Sequence, residues 1–222
     1  TDYVVPGCLV SDLDKKAEDY IISRGARPAF KGYMGFPSTL CISIEDAVVH
    51  GIPNDTRLKE GQIVGIDCGA ELNGYYGDHA KTFAVGNINE DKKNLMTITE
   101  ESLYKGIEKA TPGNTVGDIG YAVQTHAESN GYSVVRELVG HGIGESLHEE
   151  PQVPNYGSPS QGYKLHAGMC IAIEPMINLG SREIYTDKDG WTILTADGKA
   201  SAHFEHTIAI LEDGPQILSM VS

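Results

Sequence analysis

Residues 62–85 read Gln62-Ile-Val-Gly-Ile-Asp67-Cys-Gly-Ala-Glu-Leu72-Asn73-Gly74-Tyr75-Tyr-Gly-Asp78-His-Ala80-Lys-Thr-Phe-Ala-Val85. Two β-type runs, 62–72 and 75–85, flank Asn73-Gly74. That dipeptide favours a two-residue hairpin turn, because both central positions of a type I′ turn need positive φ. With such a turn Leu72 opposes Tyr75, and pairing outward sets Asp67 opposite Ala80. Side chains alternate faces with period two, so Asp78 and Ala80 share the face of Asp67. Asp67 and Asp78 become diagonal neighbours within reach of one ion.

The second half of the chain repeats this design. Gly61-Gln-Ile-Val-Gly-Ile-Asp67 is matched by Gly168-Met-Cys-Ile-Ala-Ile-Glu174, a glycine followed six residues later by a carboxylate that ends an apolar run. His50-Gly51-Ile52 recurs as His141-Gly142-Ile143, and Asp78-His79 as Glu205-His206. Three matches in one order predict two pseudo-symmetric halves, about 1–112 and 113–222, of a single catalytic domain, and two copies argue against a solenoid. The same logic would bring Glu174 beside Glu205, although the connection is too long to set the register.

Three helices are expected, over 13–24, 90–110 and 115–130. The first has Ser11 and Asp14 spaced as a capping box, Gly25 as its stop, and Leu13, Ala17, Tyr20 and Ile21 as its apolar stripe. Thr111-Pro112-Gly113 closes the second, while Thr115 with Asp118 opens the third. Further β-type runs cover 40–44, 134–139, 169–179 and 202–211. Asp189-Gly190 and Asp197-Gly198 mark turns, and the Pro/Gly/Ser/Asn-rich stretch 150–162 reads as a long loop. Strands and helices together give an α+β chain.

The formal net charge of −14 argues against general nucleic-acid binding, which needs a basic footprint. The four cysteines, Cys8, Cys41, Cys68 and Cys170, form no CxxC pair and read as reduced, mostly buried thiols of a cytoplasmic protein. There is no signal-peptide pattern and no apolar run of about 18 residues.

Asp67 follows Ile63, Val64 and Ile66, and Glu174 follows Ile171 and Ile173. A carboxylate in an apolar strand is costly unless a cation meets it. The ordinary partner is Arg or Lys, but the chain has only 17 of these, and none lies in the strand segments just before Asp67, Glu174 or Glu205. A divalent metal is the better partner. Carboxylates with an imidazole suit Mn, Fe, Co or Zn, whereas an all-oxygen set would suggest Mg or Ca. Two such ions can acidify a shared water and polarise a carbonyl, which is hydrolase chemistry without a nucleophilic side chain. No Gly-x-Ser-x-Gly elbow, P-loop or dinucleotide fingerprint competes.

At these residues the sequence resembles the type I methionine aminopeptidases, of the pita-bread fold. The motifs are Val48-Val-His-Gly-Ile-Pro53, Ile66-Asp67, Gly77-Asp78, Gly140-His-Gly-Ile-Gly144, His148-Glu-Glu-Pro151, Ile173-Glu-Pro175 and Phe204-Glu-His-Thr207. They span nearly the whole chain in the family's order. The resemblance implies a curved, antiparallel-rich sheet covered by helices. It implies five metal ligands, Asp67, Asp78, His141, Glu174 and Glu205, holding two divalent ions. Fe or Mn is the expected pair in the cell, with Co, Zn or Ni also compatible. His141 enters from the resemblance alone. So do His50 and His148 as catalytic groups contacting the scissile peptide, and Glu174 as proton shuttle for a metal-bridging water.

By position, Phe30, Tyr33, Met34, Phe36, Cys41, Leu147 and Trp191 resemble the lining of a methionine pocket. The implied reaction removes the initiator methionine from nascent chains with a small second residue, near the ribosome. The implied protein is a cytoplasmic monomer needing neither membrane nor nucleic acid. His79, His126, His166, His203 and His206 are read as structural or surface residues. The missing Cys-rich zinc module and long inserts resemble the bacterial-style form. Relatives usually have another helix ahead of the segment matching 3–7, which this sequence lacks. Proline-specific peptidases of the same fold usually carry an N-terminal domain for which 222 residues leave no room. Non-catalytic members typically lose metal ligands, and this chain retains all of them.

Overall fold

The computed structural model describes residues 2–220; Thr1, Val221 and Ser222, the ends of the expected 1–222 domain, lie outside the described residues. Three helices are formed: α1 (Val10–Ser23), α2 (Glu90–Ile107) and α3 (Val116–Ser129). The first strands are β1 (Arg27–Pro28), β2 (Leu40–Ile44), β3 (Ala47–Val49), β4 (Ile63–Leu72) and β5 (Tyr75–Ala84). Then come β6 (Ser133–Val134), β7 (Gly140–Gly142), β8 (Glu149–Val153), β9 (Cys170–Ile173) and β10 (Met176–Asn178). The last are β11 (Ile184–Thr186), β12 (Ile193–Thr195), β13 (Ser201–His203), β14 (His206–Leu211) and β15 (Gly214–Ile217).

The β4–β5 hairpin forms in the expected register, with Leu72 opposite Tyr75 and Asp67 opposite Ala80. Asn73 and Gly74 take φ of 55° and 86°, the left-handed pair that a type I′ turn requires. On its other edge β4 pairs with β1 and β2. A five-stranded sheet, in the order β15-β14-β9-β7-β8, carries the second half. Two three-stranded sheets, β13-β10-β6 and β11-β12-β3, complete the set. All these pairings are antiparallel.

The runs 169–179 and 202–211 are not single strands. Each breaks at a carboxylate: Glu174-Pro175 separates β9 from β10, and Phe204-Glu205 separates β13 from β14. At each break the chain passes from one sheet to another. Pro175 has no N–H for a ladder, and the freed Glu205 N–H donates instead to the Ala80 carbonyl at 2.8 Å. Ile173 pairs with His206, so the next position outward sets Glu174 against Glu205.

The halves are stitched where β5 meets this break. The Thr207 hydroxyl lies 2.9 Å from the Asp78 N–H and 2.8 Å from the Asp78 carbonyl. Thr82 makes the same clasp on His203, at 2.9 Å to both its N–H and its C=O. Helices α2 and α3 cover the second-half sheets through Leu95, Leu103, Ile119 and Ile173, all at most 1% exposed. Each such side chain contributes roughly 1.5–3 kcal/mol by leaving water. Helix α1 packs Val10 and Leu13 on the first sheet with Leu40, Ile42 and Val64.

Helix α3 has the expected cap, with the Asp118 carboxylate accepting from the Thr115 N–H at 2.8 Å and hydroxyl at 2.7 Å. Helix α1 does not. It begins three residues earlier than expected, its first N–H groups donating to the carbonyls of Thr56 and Asn54. Ser11 bonds Asp55 instead, and Asp14 accepts the N–H groups of Thr39 and Leu40, so both capping candidates serve tertiary contacts. Tyr20, expected in the apolar stripe, is 60% exposed with Arg24 over its ring. Helix α2 stops at Ile107, because 108–110 tighten into turns. The run 134–139 pairs only through β6, as the chain then leaves its sheet to reach β7. The expected loop 150–162 begins as strand β8. All four cysteines are free, but they are not mostly buried as expected: Cys41 is buried and the others are half-buried.

Candidate active site

The hairpin and the broken strands deliver their carboxylates to one place. A cavity of about 660 Å³, counting its mouth, is lined by Asp67, Asp78, His141, Glu174 and Glu205 at one end. His50 and His148 stand beside them, and Phe30, Tyr33, Met34, Phe36, Cys41, Leu147 and Trp191 form the other end. Every residue singled out from the sequence for this site borders that cavity. Met34 does so from the rim, being 83% exposed.

Ligand atoms of Asp78, His141 and Glu205 lie within 4.8 Å of one another. His141 Nδ1 sits 2.8 Å from the Gly142 carbonyl. That bond places the proton on Nδ1 and leaves the Nε2 lone pair for a cation. Nε2 is 3.6 Å from Glu174 Oε1. Asp67 Oδ1 is buried without any hydrogen-bond partner. Asp67, Asp78 and Glu205 make no ion pair among the described residues, and Glu174 meets only His141 and His203. Orphaned, converging anions with a lone pair aimed at them fit a divalent cation.

Burial, and then mutual repulsion, raise the carboxylates. Asp67, Glu174 and Glu205 are held well above the ordinary range, and desolvation pushes Asp78 up to about 6. Desolvation drives His141 down to about 4, so it is a neutral ligand at any working pH. A carboxylate raised in the folded state contributes stability that is lost as pH rises through that raised value. The metal-free protein therefore gives up this contribution as pH climbs through about 6, whereas a bound cation displaces the protons and removes the loss. We expect the melting-temperature gap between manganese-loaded and chelated protein to widen from about pH 5 to pH 7. A gap independent of pH would contradict this.

His50 is held at φ +59°, a strained conformation for a side-chain-bearing residue. The next residue, Gly51, lies so flat on β2 that a Cβ there would sit 2.1 Å from the Ile42 carbonyl oxygen. Gly142, after His141, is equally confined: a Cβ there would sit 2.3 Å from the Glu150 carbonyl oxygen. Both histidines of the repeated His-Gly-Ile line the cavity, and Ile52 and Ile143 pack with its apolar residues. We expect Gly51→Ala to destabilise the fold by about 1–3 kcal/mol, read as a lower urea midpoint at unchanged slope. An unshifted midpoint would mean that β2 yields freely.

His148 Nδ1 lies 2.8 Å from the Tyr33 hydroxyl, and its ring packs edge-on to His141 at 4.2 Å. Burial lowers both His50 and His148, so each presents a neutral ring. At the apolar end Phe36 meets Trp191 edge to face at 5.2 Å. Phe30, Phe36, Cys41 and Leu147 are buried, and Trp191 is half-buried.

Of the histidines left aside by the sequence, His166 is exposed and His126 pairs with Glu101 at 2.8 Å. Three others are closer to the site than a structural or surface reading implies. His79 stacks on His206 with centroids 4.7 Å apart and bonds the Glu205 carbonyl through Nδ1. His203 is buried with Nε2 3.7 Å from Glu174 Oε2. The echo of Asp78-His79 in Glu205-His206 was a signal for the first pair. Nothing local marked His203.

Comparison with known proteins agrees with this geometry. The description "Metallopeptidase family M24" matches residues 1–212. A methionine aminopeptidase of Clostridium perfringens is 55% identical over 98% of this chain and 88% of its own length. Methionine aminopeptidase 1 of Bacillus subtilis is 53% identical over 99% and 88%. The crystal structure of methionine aminopeptidase from Rickettsia prowazekii, 44% identical, matches with a TM-score of 0.98 over 99% of this chain and 89% of that one. Prolidase from Pyrococcus furiosus matches at 0.80 and 26% identity, but this chain spans only 58% of it. The fold is the pita-bread fold shared by both groups. With the family description matching nearly end to end and relatives above half identity, the chain belongs to metallopeptidase family M24.

Proposed function

We propose that this chain releases the N-terminal methionine of peptides and nascent proteins, with Asp67, Asp78, His141, Glu174 and Glu205 holding two divalent ions. The observation that supports it most is that one cavity is lined both by these carboxylates and by an apolar, sulfur-containing cluster. A thioether side chain suits the wall of Phe30, Tyr33, Phe36, Cys41 and Trp191. The peptide bond that follows it then reaches the carboxylates. Fe or Mn best suits four carboxylates with one imidazole, and Co, Zn or Ni would also bind.

When bound, the ions supply Lewis-acid polarisation of the substrate carbonyl and a water acidified toward neutrality. Glu174 takes a proton on a carboxylate oxygen and returns it to the leaving amine. His50 and His148 donate to the scissile peptide as charge develops on its oxygen. A preference for a small second residue is part of this reading. We read the chain as one catalytic domain of two related halves. Cytoplasmic nascent chains near the ribosome are its substrates, and it works as a monomer. None of its helices is long and apolar enough to cross a membrane, among the described residues.

The test is methionine release from Met-Ala-Ser and Met-Leu-Ser, with Ala-Pro-Ala as control, after chelation and after adding Mn, Fe or Co. Metal-dependent cleavage of Met-Ala-Ser alone is expected. Cleavage of only the proline peptide would overturn the substrate reading. Trp191→Ala should raise KM for methionyl peptides about tenfold, ~1.4 kcal/mol of binding, with a smaller effect on stability because the indole is only half-buried. An unchanged KM would remove Trp191 from the pocket.

A further inference from the structure

One buried polar atom beside the carboxylates has no assigned task. His203 Nε2 is buried and lacks any hydrogen-bond partner. Its residue sits on β13 opposite Met176 of β10, only 4% exposed, with its backbone clasped on both sides by the Thr82 hydroxyl. The backbone that carries the ring is therefore held by three strands, β5, β10 and β13. The nearest charged atom to Nε2 is Glu174 Oε2, at 3.7 Å.

The two oxygens of Glu174 face different imidazoles. Oε1 lies 3.6 Å from His141 Nε2, and Oε2 lies 3.7 Å from His203 Nε2. The backbone behind them is anchored as well, since the Asn155 side-chain amide donates to the Glu174 carbonyl at 3.0 Å.

We infer that His203 is a positioning residue for Glu174, its Nε2–H donating to Oε2 so that Oε1 stays turned toward Asp78, His141 and Glu205. This rests on the reading of Glu174 as ligand and proton carrier. Elimination supports the tautomer. A bare Nε2 lone pair facing a carboxylate is repulsive, and a buried N–H left without an acceptor is costly. An N–H aimed at Oε2 satisfies both atoms. A movement of well under an ångström brings 3.7 Å into hydrogen-bond range. Partners that orient a metal ligand from outside typically change metal affinity or activity about 10–100-fold when removed.

The test compares His203→Leu, which fills the space without a donor, with His203→Gln, which restores an N–H. Mn2+ affinity is measured by calorimetry, together with kcat and KM on Met-Ala-Ser. The leucine variant should bind Mn2+ at least about tenfold more weakly and lose about 10–100-fold in kcat with KM within about threefold. The glutamine variant should stay within about threefold of the unsubstituted protein in both. Leucine and unsubstituted proteins alike, or glutamine as damaged as leucine, would overturn the assignment and leave His203 a packing residue. A nitrogen-15 spectrum of histidine-labelled, metal-free protein decides independently of folding in the variants. A protonated, hydrogen-bonded Nε2 on His203 is expected, and an unprotonated Nε2 would overturn the assignment. Failure of the unsubstituted protein to bind Mn2+ would instead refute the proposed metal centre.

Discussion

Asp78→Asn is expected to lower kcat/KM for Met-Ala-Ser by at least about 10³-fold, ~4 kcal/mol of transition-state stabilisation, while the metal-free protein becomes more stable. Both effects have one cause. Asp78 is 4% exposed and lies in the group whose ligand atoms fall within 4.8 Å. Its charge is among those that raise Asp67, Glu174 and Glu205. Asparagine keeps the shape and the oxygen that accepts from the His79 N–H, and Thr207 still clasps the backbone. What disappears is a negative charge, needed with metal and repulsive without it. Relief of about 1 kcal/mol would raise the chelated protein's melting temperature by roughly 2–4 °C. Calorimetry after chelation and a Mn2+ assay read both halves. Full activity would remove Asp78 from the centre, and a lower melting temperature would mean that its charge is not repelled.

His148→Ala should leave the metal in place and slow the chemistry. Its ring borders the cavity, touching the Tyr33 hydroxyl and the edge of His141, and supports no part of the core. Removing one donor to a developing oxyanion costs about 10²–10³-fold in kcat, near 2.7–4 kcal/mol. We expect that fall in kcat with KM, Mn2+ affinity and melting temperature little changed. A kcat within about threefold of the unsubstituted protein would show that His148 is not a donor to the oxyanion. Loss of Mn2+ binding would make its role support of His141.

What could be read from the sequence depended on how local the deciding contact was. The β4–β5 hairpin was legible because a two-residue turn fixes every later pairing, and Asp67 and Asp78 came with it. The cap of α3 was legible because Thr115 and Asp118 satisfy each other within one turn. Ser11 and Asp14 had the same spacing, yet Asp55 and the start of β2 claimed them. The split of 169–179 had a local sign in Pro175, which cannot continue a ladder. The split of 202–211 had none, because the Glu205 N–H is taken up by Ala80, far away in sequence. His141 needed the family resemblance; only the fold brings it beside Asp78. The positive φ of His50 and the approach of His203 to Glu174 are likewise products of packing between strands.

The central claim is that these five side chains hold the ions, and crystals grown with Mn2+ test it directly through anomalous scattering. Two peaks are expected within coordination distance of Asp67, Asp78, His141, Glu174 and Glu205, and both should vanish after chelation. Peaks elsewhere, or none at these residues in protein that still releases methionine, would contradict the account.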